Sequence, residues 1–173
     1  DNSVSKKDCS YFLGRYIKGI NNSSSPDWLQ NRLIKIGLRP ISGLVDLTNF
    51  LTFDSARPLH AFDADRLEGD LVVRKAKNGE ELKALDGNVY KLDDTMTVIA
   101  DSKCVQAIGG IIGGENSAVS EKTSKVFIES AYFNPITIRK SAKSKLAYTR
   151  SHRKCRPRGT WTPTILALSL IHI

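Results

Sequence analysis

The chain has 173 residues, of which 40% are hydrophobic and 25% are charged, a composition typical of packed globular proteins and not of disordered ones. No apolar run reaches the roughly 20 residues that cross a bilayer, and the first residues are polar, so we expect no membrane partner and a cytoplasmic location. The net charge of +8 is unevenly distributed, because nine of the 26 basic residues and no acidic residue follow position 138. Residues 1–138 contain 17 basic and 18 acidic residues. This part of the chain therefore lacks the positive excess typical of DNA-binding proteins.

The first predicted elements are a strand and an amphipathic helix. Residues 11–20 are rich in aromatic and apolar side chains and predict a strand that ends at Asn21. Ser25 precedes Pro26, so we expect Ser25 to cap a helix in which Pro26 is the first residue. Gly37 ends this helix, and four apolar residues share its predicted buried face: Trp28, Leu29, Leu33 and Ile36.

A second helix and several strands are predicted downstream. Residues 41–53 favour a helix, although their β-branched content leaves a strand as the alternative, and residues 57–63 form a turn-rich stretch. Apolar segments and an Asp-Gly turn signal then predict sheet structure at 71–74, 85–89 and 96–100. This mixture predicts one α+β domain.

The last predicted elements surround two glycine pairs. An apolar strand ends in residues 108–114, where glycine allows backbone amides to approach another group closely. Residues 126–128 predict a further strand with Glu129 at its end. Asn134 is the predicted cap of the helix that follows, and Pro135 is its first residue.

Four groups of residues are candidates for chemistry: Thr48 with Asn49, His60, the glycine pairs, and Glu129. A carboxylate, an amide and a histidine near exposed backbone amides are the parts that bind a polar substrate and direct water at an ester. Each group also has a structural explanation. His60 can bond a backbone carbonyl, the glycines can serve tight turns, Glu129 can face solvent, and Thr48 can bond local backbone.

Cysteine usage points away from a metal site. Cys9, Cys104 and Cys155 are widely spaced and form no C-x-x-C pair. We therefore predict free thiols in a reducing compartment, and neither a metal nor a cofactor in this chain.

Motifs across most of the chain occur in a specific order. They are Gly37-Leu38-Arg39-Pro40-Ile41, Val45-Asp46-Leu47-Thr48-Asn49-Phe50, Pro58-Leu59-His60-Ala61-Phe62-Asp63, Leu85-Asp86-Gly87, Ile99-Ala100-Asp101, Gly109-Gly110-Ile111-Ile112-Gly113-Gly114, Glu129-Ser130-Ala131-Tyr132-Phe133 and Ile138-Arg139-Lys140. In order and spacing they resemble the B3/B4 region of bacterial phenylalanyl-tRNA synthetase beta chains, over about residues 9–149. The resemblance implies an α+β fold with a β-sandwich-like core and flanking helices, and a B3/B4 editing domain at residues 1–149.

The resemblance also implies an activity and partners. In that family the domain hydrolyses tyrosine wrongly esterified to the phenylalanine tRNA, whereas aminoacylation belongs to the alpha chain. The implied partners are tRNA(Phe), mischarged tyrosyl-tRNA and the alpha chain, in a heterotetramer. The segment itself would use no cofactor, and the complete ligase would use ATP and Mg²⁺.

The implied editing site draws on several motifs: Thr48, Asn49, His60, Gly109, Gly110, Gly113, Glu129 and Thr149. We expect His60 and Glu129 to be catalytic, with Glu129 recognising the phenol of tyrosine. A site built to bond a substrate hydroxyl rejects the analogue lacking it by roughly 10⁴- to 10⁵-fold, because the buried partner is left unpaired. His60 and the backbone amides of the glycine pairs are candidates to stabilise the oxyanion.

Residues 150–173 depart from the family pattern and form a basic tail without acidic residues. Translation in the wrong reading frame would explain the change, and the alternative is a genuine tail that grips tRNA phosphates. Two further functional alternatives stay open. The chain is either an inactive or structural tRNA-binding module with the same fold, or a freestanding relative of the domain.

Overall fold

The computed structural model describes residues 7–145, except for the side chains of residues 143–145. The strands of this part are β1 (Cys9–Lys18), β2 (His60–Asp63), β3 (Val72–Lys75), β4 (Glu81–Lys83), β5 (Val89–Lys91), β6 (Thr97–Ala100), β7 (Val105–Ile108), β8 (Ile112–Gly113) and β9 (Lys125–Phe133). Its helices are α1 (Asp27–Lys35), α2 (Gly43–Asp54) and α3 (Pro135–Lys145), with a 3₁₀ turn at Ala64–Arg66. The predicted α+β class is confirmed.

Two compact units divide this part of the chain. The first unit contains residues 7–12, 66–118 and 131–145, and the second contains residues 13–65 and 119–130. Strands β1 and β9 each continue from one unit into the other. None of the helices in residues 7–145 is long and apolar enough to cross a membrane.

The first unit is built on a four-stranded antiparallel sheet in the order β3-β6-β7-β8. The β4-β5 hairpin turns at Gly87, where φ is +83°, as the predicted Asp-Gly turn requires. A bridge between Ala84 and Gly114 joins this hairpin to the end of β8. Helix α3 covers the core of the unit with Ile138 and Ala142.

The second unit contains the helices α1 and α2 and most of a three-stranded sheet in the order β1-β9-β2. One face of β2 and β9 packs on α2, in a core that contains Leu44, Ala61, Val126 and Ile128. Burying such aliphatic side chains stabilises the fold by about 1.5–3 kcal/mol each. This core holds the two strands beside α2, and their other face carries the residues described below.

Three polar contacts fix the ends of the helices. The amide of Leu44 donates to Asn22 Oδ1 at 2.9 Å, and the amide of Ile41 donates to Asp46 Oδ1 at 2.8 Å. The predicted cap at Asn134 is confirmed, because its Oδ1 accepts the amide of Ile136 at 2.8 Å. The helical prediction for residues 41–53 is likewise confirmed by α2.

The predicted start of α1 is wrong. Pro26 is the N-cap and has extended backbone angles, and no side chain caps the helix. The hydroxyl of Ser25 donates instead to the buried carboxylate of Asp46 on α2. The predicted buried face of α1 is also half right, since Leu29 and Leu33 are buried while Trp28 and Ile36 are exposed.

Two strand predictions are corrected as well. Residues 57–63 were expected to be turn-rich, but His60–Asp63 form β2, because they pair with a strand more than 60 residues later. Glu129 lies in the middle of β9 and not at the end of its strand. Both corrections move candidate residues from loops into a sheet.

Candidate functional site

His60 and Glu129 lie directly opposite each other on neighbouring antiparallel strands. The register of β2 and β9 aligns His60 with Glu129 and Phe62 with Phe127. Directly opposed residues point to the same face, with Cβ atoms about 4.5–5.5 Å apart. Because side chains alternate along a strand, these four residues share one face of the sheet, while the residues between them enter the core on the other face.

Both titratable side chains are removed from water. Glu129 is only 7% exposed, and burial raises the pKa of its carboxyl from 4.5 to about 8. His60 is half-buried, and desolvation lowers the pKa of its imidazole from 6.5 to about 4. Desolvation favours the neutral form of each group. Near pH 7 a mostly protonated carboxylic acid therefore stands opposite a neutral imidazole.

Neither side chain has a polar partner. Within residues 7–145, the Glu129 carboxyl and the His60 imidazole make no hydrogen bond and no ion pair, and desolvation is the one cause of each pKa shift. Titratable groups with strongly shifted pKa values are concentrated at functional sites, so this pair is the best candidate for ligand binding.

Aromatic rings line the face that carries the pair. The ring of fully buried Phe62 meets the His60 imidazole edge to face, with centroids 4.4 Å apart, and lies 6.5 Å from the ring of Phe127. Phe127 occupies the space that a side chain at Gly14 would fill, since a Cβ there would lie 1.9 Å from its Cζ. The Phe62 ring shields His60 from water on the face that Glu129 shares.

Sequence reasoning missed these aromatic neighbours. Phe127 precedes Glu129 by two positions and Phe62 follows His60 by two, which is the strand period that places them on a common face. That signal would have been visible if residues 60–63 had been predicted as a strand.

Thr48 and Asn49 lie on α2, the helix that packs beside β2. The Thr48 hydroxyl donates to the carbonyl of Val45 at 2.9 Å, which is the local backbone bond foreseen for this residue. Its hydroxyl oxygen keeps capacity to accept a further hydrogen bond. Both residues are half-buried, and they belong to the same unit as His60 and Glu129.

The candidate glycines belong to the first unit. Gly109 and Gly110 form a tight turn between β7 and β8, and Gly110 has a φ of +68°. A Cβ at Gly109 would lie 2.7 Å from the ring of Phe133, so this turn packs directly on an aromatic side chain. The amide of Gly109 donates to the carbonyl of Thr97 at 2.9 Å. One of the amides that we expected to stabilise an oxyanion is therefore already bonded within the sheet.

Gly113 and Thr149 complete the predicted set. Gly113 is buried in β8, pairs with Ala107 of β7, and its carbonyl accepts the amide of Leu85 at 3.0 Å. Thr149 lies outside the described residues, as does the basic tail that follows it.

No group of three or more His, Cys, Asp or Glu residues in the described part of the chain could hold a metal ion. Cys9 is buried and Cys104 is half-buried, and both are free thiols. Cys155 falls outside the described range.

Comparison with known proteins gives the family. A model of the B3/4 domain family matches residues 8–169. The chain is 54% identical over 130 residues to a phenylalanine–tRNA ligase beta subunit of Nitrobacter winogradskyi, which covers 75% of this chain and 16% of that protein. It is 55% identical over 135 residues to the beta subunit of Rhodopseudomonas palustris, covering 78% and 17%.

A solved structure agrees in fold. The chain superposes with a TM-score of 0.54, at 16% identity, on an N-terminal fragment of the phenylalanyl-tRNA synthetase beta subunit from Pyrococcus horikoshii. The match covers 73% of this chain and 40% of that fragment. The chain spans about a sixth of the length of the curated relatives named above. It therefore belongs to the B3/4 domain family and is similar to the segment of phenylalanine–tRNA ligase beta subunits that contains this domain.

Proposed function

We propose that this chain hydrolyses tyrosine from mischarged tyrosyl-tRNA(Phe), as a post-transfer editing domain. Water adds to the acyl carbon of the ester, the bond from that carbon to the ribose oxygen breaks, and free tyrosine and uncharged tRNA leave. The observation that carries the proposal is the buried Glu129 carboxyl, without a polar partner in residues 7–145, on a strand face that also carries two aromatic rings. This environment suits a side chain that is aromatic and ends in a hydroxyl.

Glu129 is the residue that we propose recognises the phenol. Burial keeps its carboxyl mostly protonated near pH 7, so the acid can donate one hydrogen bond to the phenol oxygen and accept another from the phenol hydroxyl. Phenylalanine offers neither bond and would leave the buried carboxyl unpaired, which costs about 1–3 kcal/mol. The same group therefore both attracts tyrosine and rejects the correct amino acid.

His60 is proposed to bind the substrate or its water as a neutral imidazole. Its lowered pKa removes the positive charge near pH 7, which leaves one donor and one acceptor nitrogen. An aminoacyl ester is already activated, so positioning water and bonding the developing oxyanion supply much of the catalysis. Thr48, Asn49, Gly109, Gly110, Gly113 and Thr149 stay proposed substrate-binding residues.

The wider assignment concerns the complete ligase. We propose that the chain acts as part of a phenylalanine–tRNA ligase beta subunit with tRNA(Phe) and the alpha chain as partners, in the cytoplasm. ATP and Mg²⁺ would be used by other parts of that enzyme. The support is the similarity to the beta subunits described above.

The experiment is a deacylation assay with the chain itself. Tyrosyl-tRNA(Phe) and phenylalanyl-tRNA(Phe) are incubated with the chain, and initial rates are compared with those in buffer. We expect tyrosine to be released at least about tenfold faster than in buffer, and His60→Ala to lose most of this rate. A folded sample that releases tyrosine no faster than buffer would overturn the proposal and leave an inactive or structural tRNA-binding module.

A further inference from the structure

We propose that Trp28, Arg32, Phe50 and Phe53 form a platform on α1 and α2 that binds the unpaired 3′ end of an RNA. The inference rests on the proposed function for one point, which is that this RNA is the aminoacyl-tRNA whose ester is hydrolysed. The four residues are called the α1–α2 platform below.

The aromatic part of the platform is preformed. Trp28 and Phe50 meet edge to face with ring centroids 5.7 Å apart. Trp28 is 54% exposed, and Phe53, one turn after Phe50 on α2, is 50% exposed. Exposed aromatic faces held in place by neighbours are the surfaces on which unpaired bases stack.

The cationic part of the platform is Arg32, which lies close to two of the aromatic rings. The Arg32 guanidinium is 5.7 Å from the ring centroids of both Trp28 and Phe50. Among the described residues it has no carboxylate partner and no hydrogen bond. The rings orient the guanidinium while its N–H groups stay available, and such a group binds phosphate well.

The basic residues near the platform are exposed and available to an anionic ligand. From Asp27 to Asp54 the chain has three acidic residues, one of them the buried Asp46, and three basic residues. The basic residues are Arg32, Lys35 and Arg39, all exposed, and none forms an ion pair within residues 7–145. Rings and unneutralised cations together match single-stranded nucleic acid better than an apolar protein partner.

The platform is continuous with a proposed substrate residue. Asn49 and Phe53 are four residues apart on α2, so their side chains are neighbours on one helix face, and Phe50 lies three residues before Phe53. An RNA end that stacks on the rings would therefore place its terminal ribose and ester towards Asn49. The platform would bind the RNA beside Asn49, which the proposed function assigns to substrate binding.

The test measures RNA binding directly. A fluorescently labelled single-stranded oligoribonucleotide ending in CCA is titrated with the 173-residue chain, and the dissociation constant is read from anisotropy. Trp28→Leu is compared with Tyr16→Leu, which replaces another exposed aromatic residue of the same unit. Arg32→Gln is compared with Lys122→Gln, which removes another exposed charge of that unit.

We expect Trp28→Leu to weaken binding at least fivefold, since stacking contributes about 1–3 kcal/mol per base, and Tyr16→Leu to leave it unchanged. Arg32→Gln should lower the slope of log K against log salt by about 0.7, the value for one phosphate on a single strand. Two variants at exposed positions keep the test valid if one of them misfolds. Equal affinities for all four variants, or equal binding of a blunt duplex, would overturn the proposal.

A kinetic arm separates this proposal from the proposed function. In hydrolysis of tyrosyl-tRNA(Phe), Trp28→Leu should raise KM at least fivefold with kcat retained, because the platform holds the RNA and does not touch the ester. RNA binding that depends on Trp28 and Arg32 in a chain that releases no tyrosine would support the platform and refute the editing function. A lowered kcat with unchanged KM and unchanged RNA affinity would refute the platform.

Discussion

Glu129 and His60 shift their pKa values in opposite directions, and the two shifts affect stability in different pH ranges. Native Glu129 keeps a proton up to about pH 8 that the unfolded chain releases near 4.5, so its contribution is full below 4.5 and is lost as the pH rises to 8. The unfolded chain protonates this imidazole near pH 6.5, whereas native His60 stays neutral down to about pH 4. Its contribution is therefore lost as the pH falls through that range.

Glu129→Gln should isolate the first effect between pH 6.5 and 8, because His60 is present in both proteins and its contribution cancels from their difference. Because the amide of Gln cannot ionise, the variant lacks the decline in stability that the Glu129 carboxyl causes. We expect the free energy of unfolding of the wild type to fall by roughly 1.5 kcal/mol relative to the variant across this range. Chemical denaturation at several pH values measures it, with exposed Glu121→Gln as the control. Parallel curves for wild type and Glu129→Gln would show that the carboxyl is not desolvated.

Residue identities in the site were more predictable than their environment. His60 and Glu129 could be proposed from the sequence because they lie within motifs that resemble the B3/B4 region. Their direct opposition could not, because it depends on a register between strands more than 60 residues apart. The packing of Phe127 against Gly14, on the face that carries Glu129, likewise joins strands more than 100 residues apart.

The junction of α1 and α2 shows how an element is positioned by one buried side chain. Asp46 is 1% exposed. Its carboxylate accepts the hydroxyl of Ser25 before α1 and the amide of Ile41 before α2. Hydrogen bonds to a charged group contribute about 1.5–3 kcal/mol each. Asp46 therefore links the starts of both helices, including the one that contains Thr48 and Asn49.

Asp46→Ala should destabilise the chain by about 3 kcal/mol, because it leaves the Ser25 hydroxyl and the Ile41 amide without their acceptor. Asp46→Asn should lose less, since its amide oxygen can still accept from Ile41. Exposed Asp54→Ala on the same helix is the control and should change stability by less than about 0.5 kcal/mol. A midpoint of denaturation for Asp46→Ala equal to that of the control would contradict this role.

Elements defined by local signals were predicted well, and those defined by distant partners were not. Gly37 and the apolar spacing located α1, and Asp86-Gly87 located the β4-β5 turn. Ser25 was misassigned as a cap because its hydroxyl bonds Asp46, 21 positions away. β2 was mistaken for a turn because its four residues become a strand only through β9.

At the scale of the whole molecule, the motif order along the sequence was the strongest guide to family. It led to the B3/4 domain family, which the match over residues 8–169 confirms. The candidate residues themselves fall in two compact units, with the glycines in the first and His60, Glu129, Thr48 and Asn49 in the second. That division could not be predicted, since both units are built from segments that alternate along the chain.

The central claim is that Glu129 selects tyrosine by bonding its phenol. The most direct measurement is the ratio of kcat/KM for tyrosyl-tRNA(Phe) to that for phenylalanyl-tRNA(Phe), in the wild type and in Glu129→Leu, whose apolar side chain fills the same space. We expect the wild type to prefer tyrosine strongly and the variant to lose that preference by at least about 100-fold, because a site that bonds a hydroxyl gains its discrimination from that bond. A folded Glu129→Leu variant with an unchanged ratio would contradict the claim.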